Sequence, residues 1–160
     1  MNPVLVFGYG NPGRGDDGAG PALIERLETL ALPEVACFTD MQLQVEHIED
    51  MAGRELILFV DADASCDGQL HFSEISEEKD GSYTSHAMSP HALLHAYRQV
   101  YHSHPPPAFL LRIRGYQFEL GESLGNRASA NLDEAIAFTR MLCNTPEISR
   151  WRSFAIADDD

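Results

Sequence analysis

"VLVFGYGNPGRGDDGAG", residues 4–20, begins as an apolar strand and ends as the start of a helix. A strand, a glycine-rich turn and a helix in that order open an α/β domain, and the rest of the chain follows from this reading. Gly8, Gly10 and Gly13 satisfy G-x-G-x-x-G, the spacing of a dinucleotide-binding turn. Asp16 and Asp17 then stand where a bound phosphate wants only backbone N–H groups. The stretch is therefore either a phosphate cradle or a loop built to hold a cation.

Outward from this stretch, strands and helices alternate without an internal repeat. The first strand is "VLVFG" (4–8). The helix from about Gly18 carries Leu23, Leu27 and Leu30 on one face and Glu25, Arg26 and Glu28 outside it. "EVACF" (34–38) is the second strand, and a short helix around 44–52 leads to "LILFVD" (56–61). That last run is apolar on both faces, as a central parallel strand covered by helices must be. "QLHFSEI" (69–75) follows after a link too short for a crossover, which predicts an antiparallel edge strand. Residues 76–88 read as a polar loop. "SPHALLHAYRQVY" then begins a helix with Ser89 as its cap and Pro90 at the first helical position. "AFLLRIRG" (108–115) is the fifth strand, and an amphipathic helix covers about 129–143. The expected fold is a single α/β domain over 1–145, a mostly parallel, twisted five-stranded sheet with one antiparallel edge strand between helices. Residues 146–160, ending in "DDD", are expected to be a loose acidic tail.

The length of 160 residues suits one domain with a well-covered core. A formal net charge of −14, with Lys79 as the lone lysine, makes nucleic acid and anionic membrane surfaces poor partners. Cys37, Cys66 and Cys143 are odd in number, far apart and without a C-x-x-C, so they signal neither a disulfide framework nor a cysteine zinc site. No run approaches the ~18 apolar residues of a membrane span, and no signal peptide precedes the first strand, so the cytoplasm is the expected compartment.

In open α/β sheets the binding crevice lies outside the carboxyl ends of the strands. Asp16 and Asp17 come from the loop after the first strand, Asp61 ends the third with Asp63 two residues on, and His91 opens the helix at 89–101. At about 3.3 Å per residue, the loop before that helix is long enough to return to the crevice. Capping accounts for one of the two adjacent aspartates but not for both. The positive end of a helix dipole disfavours an imidazolium, and the neutral imidazole is the form that ligates metal. Two carboxylates and an imidazole on three loops suit a borderline divalent ion with open coordination positions. His86, in the same loop as His91, is a candidate proton carrier.

The dinucleotide reading fares poorly. Two carboxylates would repel a pyrophosphate at close range. No acidic residue ends the second strand about 20 residues on; Asp40 lies 27 beyond Gly13. Ser123 and Ser129 lack a G-x-S-x-G setting, no cysteine sits beside a histidine in a recognisable pattern, and His102 and His104 of "HSHPPP" belong to a polyproline-like link.

"GYGNPGRGDDGAG", "FVDAD" and "MSPHALL" together resemble the maturation endopeptidases of [NiFe] hydrogenases, over nearly the whole chain. "QLQVEHIEDM" (42–51) and "LRIRGYQFELGESLGNRASANL" (111–132) look most like the branch serving bidirectional, NAD(P)-linked hydrogenases. The resemblance implies an endopeptidase that clips a C-terminal extension from the hydrogenase large-subunit precursor after nickel insertion. Its metal-linked residues fall by motif match on Asp17, Asp61 and His91. Family members often carry Glu at the first of these, and many have a Gly-Gly-Thr turn where this chain has "TDMQLQ" (39–44). Nickel, supplied by the precursor, is the expected ion, and other divalent ions are expected to substitute. The alternatives are a nickel-sensing assembly chaperone without chemistry and a dinucleotide-binding oxidoreductase.

Overall fold

The computed structural model describes residues 1–78 and 88–156. Five strands form one sheet: β1 (Val4–Tyr9), β2 (Val35–Asp40), β3 (Leu56–Asp63), β4 (Leu70–Ile75) and β5 (Ala108–Arg114). Their order across the sheet is β2-β1-β3-β5-β4. β1 is fully buried and pairs in parallel with both β2 and β3, which explains its unbroken apolar run. β5 is parallel to β3, while β4 runs antiparallel along β5, as the short link before it predicts.

Helices cover both faces. α1 (Ala19–Thr29), α4 (Asn126–Asn144) and α5 (Ile148–Phe154) pack Leu23, Leu27, Leu132, Ala135 and Trp151 against Val4, Val6, Leu58, Val60 and Phe109. On the other face, α2 (Ile48–Met51) and α3 (Pro90–Tyr101) bring Ile48, Met51, Leu93 and Tyr97 onto Leu5, Phe7, Ile57 and Phe59. α3 starts where the sequence places it: Ser89 Oγ accepts from the Ala92 N–H at 3.0 Å, with Pro90 next in the chain.

From β1 the chain steps to β2 on one side and later to β3 on the other. Their carboxyl ends therefore part above β1 and β3 at a topological switch point, where a crevice opens.

One expectation needs correcting. Within the stretch expected to be a loose tail, the described residues up to 156 are ordered: Ile148–Phe154 is helical, and the Trp151 side chain is fully buried. Its indole N–H donates to the carbonyls of Leu142 and Thr145, and its ring meets Phe109 edge-on at 5.3 Å. One large aromatic anchor is enough to dock a seven-residue helix that has little periodicity of its own. The "DDD" end lies outside the described residues. Among the described residues no helix is long and apolar enough to cross a membrane.

Candidate active site

The turn after β1 is closed to phosphate by its own hydrogen bonds. The Gly10 N–H donates to the Asp40 carbonyl at 3.1 Å, the Asn11 N–H to Asp17 Oδ2 at 2.7 Å, and the Gly13 N–H to Asn11 Oδ1 at 2.9 Å. The donors that would cradle a pyrophosphate are thus spent on the loop itself and on the end of β2. The glycines serve packing instead: a Cβ on Gly8 would strike the Gly20 carbonyl of α1, and one on Gly20 would lie 2.6 Å from the Tyr9 carbonyl. Gly10, at φ +145°, takes a conformation few other residues tolerate.

The two adjacent aspartates do different jobs. Asp16 is buried, 1% exposed, and its carboxylate accepts the N–H groups of Tyr116 (2.7 Å), Gln117 (3.1 Å) and Gly125 (2.8 Å). It ties the β1 loop to the segment after β5 and to the start of α4. Asp17, one residue on, is only partly buried and faces the crevice side of the loop, where Asn11 holds it.

Asp61, near the carboxyl end of β3, lies close enough to Asp17 for the two charges to interact. Burial, then the Asp17 charge, pushes the Asp61 carboxyl up to about 7; bonds from the Ala62 N–H and the Tyr9 hydroxyl restrain that rise. Tyr9 is held well above the ordinary phenol range by burial and by Asp61. A pair of carboxylates that keeps a proton near neutrality is one that a cation relieves, because the ion replaces the proton. Two hard carboxylate donors suit a divalent ion.

His91 occupies the first turn of α3, partly buried, with its carbonyl accepting from the Glu78 N–H at 3.2 Å. The Met88 N–H donates to the Leu43 carbonyl, which fastens the approach to α3 to the loop that follows β2. Asp17, Asp61 and the start of α3 therefore belong to the same edge of the sheet. Among the described residues, however, no three His, Cys, Asp or Glu side chains gather closely enough to hold a metal ion. The Asp17 charge acts on Asp61. His86 lies outside the described residues. Asp63 turns to other partners: burial favours its protonation, but the bonds from Ser65 and the charges of Arg112 and Arg114 outweigh it and hold its carboxyl low.

Two participants escaped the sequence reading. Tyr9 follows the Gly8–Val60 pair, as Asp61 does on β3, and its hydroxyl bonds the Asp61 carboxylate. Asn11 orients Asp17 through its backbone, for which no side-chain pattern exists. The thiols supply no nucleophile: burial pushes Cys143 up to about 12 and Cys37 up to about 11.

The architecture is shared with solved structures. A [NiFe] hydrogenase maturation protease, HycI, from Thermococcus kodakarensis KOD1 superposes with a TM-score of 0.70 at 19% identity, covering 89% of this chain and 93% of that one. The chain has the hydrogenase maturation protease fold. The hydrogenase maturating endopeptidase HybD from E. coli matches at TM-score 0.67 and 21% identity, with 89% of this chain and 93% of that one covered. A hydrogenase 2 maturation peptidase from Thaumarchaeota archaeon SCGC_AB-539-E09 gives 0.64 and 22%, over 88% and 97%. At such identities the likeness is one of fold, and it extends over almost the full length of each maturation protease. No family model matches the sequence, and no curated protein does.

Proposed function

We propose that the protein is an endopeptidase that removes the C-terminal extension of a [NiFe]-hydrogenase large-subunit precursor once nickel has been inserted. The observation that carries this reading is the paired Asp17 and Asp61 at the switch point, with Asp61 pushed up to about 7, in a fold shared with maturation proteases. Nickel belongs to the substrate. Asp17, Asp61 and His91 reach it when the precursor docks. Cleavage thereby becomes conditional on metal loading.

A divalent ion in this position supplies electrophilic activation of the scissile carbonyl or of a water. The chain's own groups do the rest. Asp17, fixed by the Asn11 N–H, presents a carboxylate without a side-chain search. Asp61, poised near neutrality, takes a proton from an attacking water as general base, while the Tyr9 hydroxyl keeps its carboxylate oriented. The partner is the precursor and the compartment is the cytoplasm; the "LRIRGYQFELGESLG" segment favours the bidirectional, NAD(P)-linked branch.

Incubating the purified protein with nickel-loaded precursor and weighing the products separates peptidase from binding-only chaperone. We expect a mass loss at the precursor's C-terminus, abolished in His91→Ala with the circular-dichroism spectrum unchanged. Undiminished cleavage by His91→Ala overturns the assignment of that residue, and an intact precursor with the unaltered protein overturns the activity.

A further inference from the structure

We propose that a cavity of about 410 Å³ beside the candidate active site is a carboxylate-binding subsite, taking an acidic side chain or chain terminus of the protein substrate. Its lining includes Arg114, Tyr116, Arg127, Asn131 and Gln69. Two guanidinium groups converge on one aromatic ring there: Arg127 lies 3.8 Å and Arg114 5.3 Å from the Tyr116 ring centre. Stacking on a ring fixes the plane of a guanidinium and leaves its edge free for a planar anion.

Among the described residues neither Arg114 nor Arg127 forms an ion pair; Asp63, the carboxylate that feels Arg114, lies closer to Arg112 at 3.7 Å. Arg114 Nη1 donates to the Cys66 carbonyl at 2.9 Å, which anchors the group, and its buried Nε has no partner. A guanidinium carries five N–H donors, so most of this one's capacity is unspent. In a molecule of formal net charge −14, two arginines without an ion pair facing one cavity make a local positive field that attracts an anion.

The cavity is rigidly tied to the chemistry. Asn131 donates to the Arg114 carbonyl and to the Tyr116 hydroxyl, while the Tyr116 N–H donates to Asp16, the neighbour of Asp17. Arg114 pairs across the sheet with Asp63, two residues beyond Asp61. One strand over and two residues along is roughly 8 Å, a span of about two or three residues of extended peptide. A substrate whose scissile bond lies over Asp17 and Asp61 can therefore place a nearby carboxylate between the arginines.

Only the identity of the ligand's owner rests on the peptidase reading; the anion chemistry does not. The test is a titration of the ¹⁵N-labelled protein, reading the arginine Nε–H resonances. N-acetylglycine supplies a terminal carboxylate, N-acetylglutamic acid α-amide a side-chain carboxylate, and inorganic phosphate a different anion. We expect the Arg114 and Arg127 signals to move saturably with a carboxylate, with a millimolar Kd, and Arg127→Gln to weaken that binding about tenfold. The tighter of the two carboxylates names the source. Absence of a saturable shift, shifts unchanged in Arg127→Gln, or tighter binding of phosphate than of either carboxylate overturns the subsite. With precursor as substrate, Arg127→Gln raises KM about tenfold. A precursor that is never cleaved defeats the peptidase reading and leaves the titration to decide the subsite.

Discussion

Asp16 and Asp17 are chemically identical neighbours with opposite duties. Asp16→Ala strips the acceptor from three backbone N–H groups and should cost at least about 2 kcal/mol, lowering Tm by roughly 4–8 °C in a thermal melt. Asp17→Asn keeps an acceptor for the Asn11 N–H and should change stability by less than about 1 kcal/mol while removing cleavage. The sequence marks the pair as unusual, yet the partners that divide their roles lie 100 to 109 residues further on, beyond any local pattern. Asp61 yields a prediction with a definite sign. Its carboxyl is raised from 3.8 unfolded to about 7 folded, so the unfolded chain gives up that proton first. Stability from this group is whole below about pH 4 and is lost as pH rises through 7. Asp61→Asn should therefore flatten that fall, and at pH 8 the metal-free variant should be more stable than the unaltered protein by about 2 kcal/mol in urea unfolding. A variant equally or less stable at pH 8 contradicts the buried, charge-opposed setting of Asp61.

Elements were legible wherever periodicity or capping marked them. Ser89 and Pro90 announce α3, the short link ahead of β4 requires its antiparallel course, and the unbroken apolar run of β3 places it centrally. α5 gave no such signal, because "ISRWRSF" is short and polar and its stability comes from a single contact across the molecule. That contact is measurable: Trp151→Ala should cost about 3–5 kcal/mol, since it opens a cavity against Phe109 and abandons two carbonyls of the α4 terminus. A melt shifted by less than about 3 °C would return the segment to the loose tail first expected. The glycine turn is instructive in the other direction. Its spacing matches a phosphate loop, and only the partners of its N–H groups, those of Gly10, Asn11 and Gly13 being bonded already within the protein, reveal that they are not left for a phosphate.

Across the whole molecule, the strand order β2-β1-β3-β5-β4 decides where the chemistry lies. It sets the loop after β1 beside the end of β3, and so turns residues 44 positions apart, Asp17 and Asp61, into one acidic pair. The sequence locates these residues at one sheet edge, and the segment that leads to α3 lies partly outside the described residues. The acidic surface repels other anions and leaves the arginine-lined cavity as a local exception. The most direct measurement compares precursor loaded with nickel and precursor freed of it, each incubated with the unaltered protein and with Asp61→Asn, the C-terminus followed by intact mass. The account predicts loss of the extension in one combination alone, unaltered protein with nickel-loaded precursor. Equal cleavage of nickel-free precursor, or full cleavage by Asp61→Asn, would contradict it.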